Sequence, residues 1–179
     1  RVEECAKLVN ADDKPWIVWC DLNAEADALI AAIPGAVEIR GSDDAEVKER
    51  RLLDFADGKI RVLVTKPKIA GYGLNWQHCA NMAFVGVTDS WEAYYQAVRR
   101  CWRFGQKSEV NVHVFASDLE GAVVMNLQRK EADAKAMSDA LSSETRDSVM
   151  QEVRGVTRKT NEYKKAVRVA VPNWLKSEG

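Results

Sequence analysis

Residues 16–39, WIVWCDLNAEADALIAAIPGAVEI, decide the fold. Trp16 to Cys20 is an unbroken apolar run of the kind found in parallel strands covered on both faces. Asp21 to Asn23 then turns the chain into an alanine-rich helix, Ala24 to Ile33, which Pro34-Gly35 stops. Ala36 to Ile39 reads as a short second strand, so the stretch is a strand–helix–strand unit.

Working outward, Arg40-Gly41-Ser42 leads into Asp43-Asp44-Ala45-Glu46, where Asp43 and Glu46 are spaced as a capping box for a helix ending near Phe55. The tetrad has the composition of an acidic metal-binding box, but such a box should end an apolar strand, and this one opens a polar helix. Asp21, placed after an apolar strand, has the look of a Walker B aspartate, and a helix start explains it as well. Asp57-Gly58-Lys59 is a turn, Ile60 to Thr65 a strand, and Lys66 to Gln77 (KPKIAGYGLNWQ) a glycine-containing loop or short helix. Met82 to Val87 is a further strand, Ser90 to Arg103 a helix, and Val110 to Phe115 the last strand. Strands alternating with helices predict an α/β sandwich with a mostly parallel sheet.

Beyond residue 118 the pattern changes. Val123, Leu127, Ala134, Met137 and Leu141 share one face of an expected helix from Leu119 to Leu141, an apolar stripe that would pack back on the domain or on a partner. Ser142 to Val153 also reads as helical, and Arg154 to Lys176 holds seven basic residues against one acid, Glu162. The expected organisation is therefore a domain over 1–118, a helical extension over 119–153 and a basic tail over 154–179.

The 179 residues, 46% hydrophobic and 30% charged with a net charge of -1, suit one globular core plus an extension. A freestanding nucleic-acid binder usually carries a basic excess, so any such contact must come from a local patch. Cys5, Cys20, Cys79 and Cys101 have no paired spacing, which argues against a zinc site or a disulfide framework and for free thiols in a reducing, cytosolic setting. No run approaches the roughly 18 apolar residues of a membrane span. The chain opens at Arg1 inside an expected helix and reads as a piece of something longer.

The chemistry concentrates in residues 89–106, DSWEAYYQAVRRCWRFGQ. Gln96, Arg100 and Arg103 are spaced i, i+4, i+7 and would stack along one helical face, while Tyr94, Val98 and Trp102 would anchor another face to the core. Guanidiniums held one turn apart suit a phosphate, although the same spacing also fits a plain solvated face. Upstream, a strand ending at Thr65 and followed by Gly71 and Gly73 would let backbone amides approach a phosphate, or would simply make a turn needing positive φ. His78 beside Cys79 reads as packing rather than a ligand pair, and no metal site is expected. Trp76 and Trp102 are the tryptophans nearest these motifs, and core or interface packing is favoured over base stacking.

Gln96, Arg100, Arg103, Gly105 and Gln106 read as QxxxRxxRxGQ, which resembles motif VI of superfamily two helicases and translocases of the Swi/Snf-like branch. Val62 to Cys79 is similar to motif V, Trp16 to Leu22 sits where motif IV belongs, and Gly41-Ser42 with Phe55 resembles the segment GSxxxxxRxxxxxxF with Lys48 in place of its arginine. KPKIAGYGLNWQHC followed by EAYYQAVRRCWRFGQ looks closest to helicase-like proteins of phages and prophages, with Pro67 inserted relative to chromatin remodellers. The resemblance covers about residues 14–118 and implies a RecA-like second lobe. It implies that Arg100 and Arg103 reach ATP phosphates, that Gly71, Gly73, Asn75, Gln96 and Gln106 couple to the nucleotide, and that Thr65, Lys66, Lys68, Gly41 and Ser42 contact nucleic acid.

No GxxxxGK[ST] phosphate loop occurs in the sequence. In the family that loop belongs to a first RecA-like lobe, which would hold most of the ATP and Mg2+. The implied partners are that lobe and DNA, duplex by analogy with Swi/Snf-like members, in a bacterial or phage-infected cytoplasm. The implied activity is ATP hydrolysis shared between lobes, with this lobe alone inactive. A docking scaffold that has lost hydrolysis is the alternative from another class. A dinucleotide-binding domain built on Gly71 and Gly73 lacks the third glycine and the acid about 20 residues on.

Overall fold

The computed structural model describes residues 1–70, 75–117 and 120–153. The elements are α1 (Val2–Val9), β1 (Trp16–Cys20), α2 (Asn23–Ala32), β2 (Val37–Glu38), α3 (Ala45–Ala56), β3 (Val62–Thr65), α4 (Pro67–Ala70), β4 (Asn81–Val85), α5 (Trp91–Val98), β5 (Asn111–Phe115) and α6 (Gly121–Val153). The strands form one five-stranded sheet in the order β2-β3-β1-β4-β5, and all its pairings are parallel. The expected α/β architecture is thereby observed.

The alternation of side chains across a strand builds a core on each side of the sheet. Trp16, Val18 and Cys20 of β1, Val62 and Val64 of β3, and Ala83 and Val85 of β4 bury one face against Cys5 and Val9 of α1 and Ala26 and Leu29 of α2. Ile17, Trp19, Leu63, Met82 and Phe84 point the other way and meet Phe55, Ala70, Trp76, Ala97 and Cys101. Each large apolar side chain removed from water this way contributes about 1.5–3 kcal/mol. The unbroken apolar run of β1 is therefore explained by its central place, with all five residues buried.

Two polar devices fix the helices on the first face. The buried Glu25 carboxylate accepts from the Leu22 amide at 3.2 Å, closing the start of α2, and pairs with the Arg1 guanidinium. A carboxylate can sit there because donors satisfy it. Arg61 Nη1 donates to the carbonyls of Val9 at 3.0 Å and Asp12 at 3.1 Å, tying the end of α1 to the start of β3.

Two expectations are corrected. Asp43 does not cap α3: the N-cap is Asp44, and the Asp43 carboxylate instead accepts from the Arg40 amide at 2.9 Å and the Arg51 guanidinium at 2.9 Å. The helix expected to run to Arg103 stops at Val98. The last helix is continuous from Gly121 to Val153, and the first compact unit ends within it, at Lys135. On that helix Leu127 is buried, whereas Met137 and Leu141 are exposed. The basic tail lies outside the described residues.

Candidate functional site

Beyond Val98 the regular helix ends, and residues 99–106 form a loop in which the Trp102 amide still reaches the Val98 carbonyl at 3.0 Å. The Arg100 and Cys101 amides reach back only three residues, to Ala97 at 3.2 Å and Val98 at 3.2 Å, and the Arg100 carbonyl accepts from the Trp76 amide at 2.9 Å. The tightened turn and the tertiary bond from Trp76 displace the expected helical stripe. Arg100 is buried, at 7% exposure, and Trp102 is 54% exposed, so the two have exchanged the environments that helical periodicity assigned them. The Arg99 guanidinium lies over the Trp102 ring at 5.4 Å. Arg103 is exposed, and its amide bonds to the Cys101 carbonyl at 3.2 Å.

The loop is pinned by two glutamines. Gln106, expected at the nucleotide, turns inward: its Nε2 donates to the carbonyls of Cys79 and Cys101, each at 3.2 Å, and its Oε1 accepts from the Ser108 amide at 2.9 Å. Gln77, which sequence reasoning did not single out, donates from Nε2 to the Phe104 carbonyl at 2.5 Å. Beneath the loop the Cys101 thiol is pushed up, first by its hydrogen bond with Cys79 and then by burial. Gln96 and Asn75 are exposed, and Gly71 and Gly73 lie outside the described residues.

The other implied residues gather where the strands end. Gly41 approaches α4, since a Cβ there would stand 3.9 Å from Ile69 Cδ1, and its carbonyl accepts from Lys48 Nζ at 2.5 Å. Gly41, Ser42 and Lys68 are exposed and Lys66 half-buried. Thr65 is different, because it is 1% exposed and its hydroxyl donates to the Ile39 carbonyl at 3.0 Å, joining β2 to β3.

The parallel sheet sets these two groups apart. β4 and β5 run the same way, so α5 must carry the chain back from the carboxyl edge to the amino edge, and Gln106 meets the Cys79 carbonyl just before β4 begins. Arg103 therefore belongs to the amino edge, while Gly41, Ser42, Lys66 and Lys68 belong to the carboxyl edge. A strand of five residues spans about 16 Å.

At the carboxyl edge the order of connection reverses. From β1 the chain goes one way to β2, and from β4 the other way to β5, the place where open parallel sheets form a crevice. A cleft lies there, lined by Cys20, Asp21, Lys68, Gly86, Thr88 and Tyr94 among others. Burial pushes the Cys20 thiol up to about 12 and raises the Tyr94 phenol, so both are neutral at pH 7. Among the described residues no three His, Cys, Asp or Glu side chains gather to hold a metal, and no helix is long and apolar enough to cross a membrane.

Residues 1–105 match the helicase conserved C-terminal domain. The chain belongs to that helicase family. This helicase C-terminal domain is similar to the bifunctional helicase and thymine dioxygenase JBP2 of Leishmania braziliensis, 34% identical over 96 residues, which are 51% of this chain and 8% of the relative. It is also similar to JBP2 of Trypanosoma brucei brucei (strain 927/4 GUTat10.1), 33% identical over 124 residues, 66% of this chain and 11% of the relative. The matched part is thus about a tenth of each relative's length. Among solved structures, the C-terminal part of the Fun30 ATPase domain superposes with a TM-score of 0.62 at 18% identity, covering 70% of this chain and 44% of that one. The C-terminal domain of the DEAD-box protein Dbp5 gives 0.62 at 15% identity, covering 74% and 78%. These likenesses establish the helicase domain's fold as RecA-like.

Proposed function

We propose that this domain is the second lobe of an ATP-dependent DNA translocase of the Swi/Snf-like, phage or prophage type, working in the cytoplasm against a first lobe that holds ATP and Mg2+. The observation that carries the reading is Arg103: an exposed guanidinium on a loop fixed by tertiary hydrogen bonds, in a helicase C-terminal domain. ATP bound on the first lobe supplies the phosphoryl group that water takes. Arg103 places a permanent positive charge beside the phosphate oxygens when the lobes close, which stabilises charge as it develops and needs no proton transfer. Buried Arg100 serves mainly to support the loop, and reaches the phosphates only if the loop turns it outward. The carboxyl edge, through Lys66, Lys68, Gly41 and Ser42, holds the phosphates of duplex DNA.

The lobe alone is inactive on this reading, because an arginine finger acts on a nucleotide that something else has bound. The test is ATP hydrolysis, with and without duplex DNA, by this chain alone and by the chain joined to a first lobe. Arg103→Ala in the two-lobe protein is expected to lower turnover by about 1,000-fold or more. Wild-type turnover in that variant would remove Arg103 from the chemistry and the reading with it.

A further inference from the structure

The segment that runs from α4 back to the start of β4 ends against the arginine loop. Its Trp76 amide donates to the Arg100 carbonyl at 2.9 Å, its Cys79 carbonyl accepts from Gln106 at 3.2 Å, and its Gln77 side chain donates to the Phe104 carbonyl at 2.5 Å. The first two bonds hold the root of the loop. Among the described residues, Gln77 supplies the tertiary side-chain bond to the part next to Arg103.

The fit around Gln77 is close. A Cβ built on Gly105 would stand 3.1 Å from Gln77 Nε2 and 3.4 Å from its Oε1, and Gly105 has φ +94. The backbone conformation favours glycine at 105, and a Cβ there would make the exposed Gln77 amide give by a few tenths of an ångström. Phe104 itself is fully exposed at 101%, so its ring does not fix the loop. The Gln106 amide donates to the Arg103 carbonyl at 3.0 Å, closing the turn that Gln77 holds from outside.

We propose that Gln77 is a positioning residue for Arg103, clamping the loop so that the guanidinium meets the nucleotide already oriented. This rests on the reading of Arg103 given above. Orientation acts on the reacting state more than on nucleotide binding, so the effect belongs in kcat.

The test compares Gln77→Leu, Gly105→Ala and Arg103→Ala in the two-lobe protein, by ATP turnover with DNA and by hydrogen exchange at the Gln106 amide. Gln77→Leu keeps the volume and removes the donor. Its expected effect is a fall in kcat of about tenfold with KM for ATP within about twofold, and faster exchange at Gln106. Gly105→Ala, which pushes on the same amide, is expected to shift both readouts the same way. If Arg103→Ala abolishes turnover while Gln77→Leu keeps wild-type kcat, the clamp is overturned and the motor reading stands. A rise in KM alone, or unchanged exchange at Gln106, also overturns it. If Arg103→Ala hydrolyses ATP normally, the motor reading fails and the positioning role falls with it.

Discussion

Thr65 and Lys68 lie on the same edge and are expected to answer mutation differently. The Thr65 hydroxyl is buried and bonded to Ile39, so Thr65→Val leaves a carbonyl without its donor and should cost about 1–2 kcal/mol of stability, read from denaturant unfolding. DNA affinity of the two-lobe protein should stay within about twofold, because the Val keeps the backbone where it was. Lys68 is exposed, and Lys68→Ala should leave stability nearly unchanged while weakening DNA binding and reducing its salt dependence by about one ion, measured by titration at several salt concentrations. A Thr65→Val variant that unfolds as the wild type but loses DNA would reverse these roles. The sequence held the identity of these residues but not their orientation. The spacing of Arg100 and Arg103 is the same whether the chain is helix or turn, and tertiary bonds such as that from Trp76 to the Arg100 carbonyl carry no sequence pattern that would tell which arginine faces solvent. Gln77 was invisible for a similar reason, since a single glutamine between a tryptophan and a histidine carries no periodicity.

At the scale of elements, the order of strands and helices was legible because buried parallel strands need apolar runs that helices do not. Observed boundaries shift by one to three residues, as with β3, expected from Ile60 and seen from Val62. The exception is α5, where Tyr94, Val98 and Trp102 repeat at helical spacing past the point at which the helix ends. Its start is better marked: the Ser90 hydroxyl accepts from the Ala93 amide at 3.2 Å. Ser90→Ala should therefore destabilise the domain by about 1 kcal/mol, visible as a lower denaturation midpoint with an unchanged slope. Equal midpoints would show that packing of Tyr94 and Ala97 alone starts the helix. At the far end Trp102, exposed under Arg99, is not a core residue, and its replacement by alanine should cost far less than the roughly 3–5 kcal/mol of a buried tryptophan.

For the molecule as a whole, the four free cysteines are buried, and the three with raised thiols, Cys5, Cys20 and Cys101, give the fold an alkaline limit. Burial pushes the thiols of Cys5 and Cys20 from 9.0 up to about 12. A group whose ionisation is harder in the folded state stabilises that state below its ordinary range and stops doing so as pH rises through the folded value. Thermal stability should therefore fall between about pH 9 and pH 12, and less steeply in a Cys5→Ala, Cys20→Ala variant. At pH 8 the native protein should resist iodoacetamide, and the denatured protein should take up one group per cysteine by mass spectrometry. Rapid labelling of Cys5 or Cys20 in the native chain would mean that the first face of the sheet opens, and of Cys79 or Cys101 that the second does.

A sheet in which all strands point the same way is also a mechanical part. Its buried central strands, β1, β3 and β4, lie end-on between the basic edge and the arginine edge, like rods set between two plates. Interiors packed at crystal density deform little. A push applied at one edge thus arrives at the other as displacement instead of being absorbed on the way. The compliance of such a lobe is left to its surface connections, and a stiffness measurement along the strand direction should find the sheet the last part to yield.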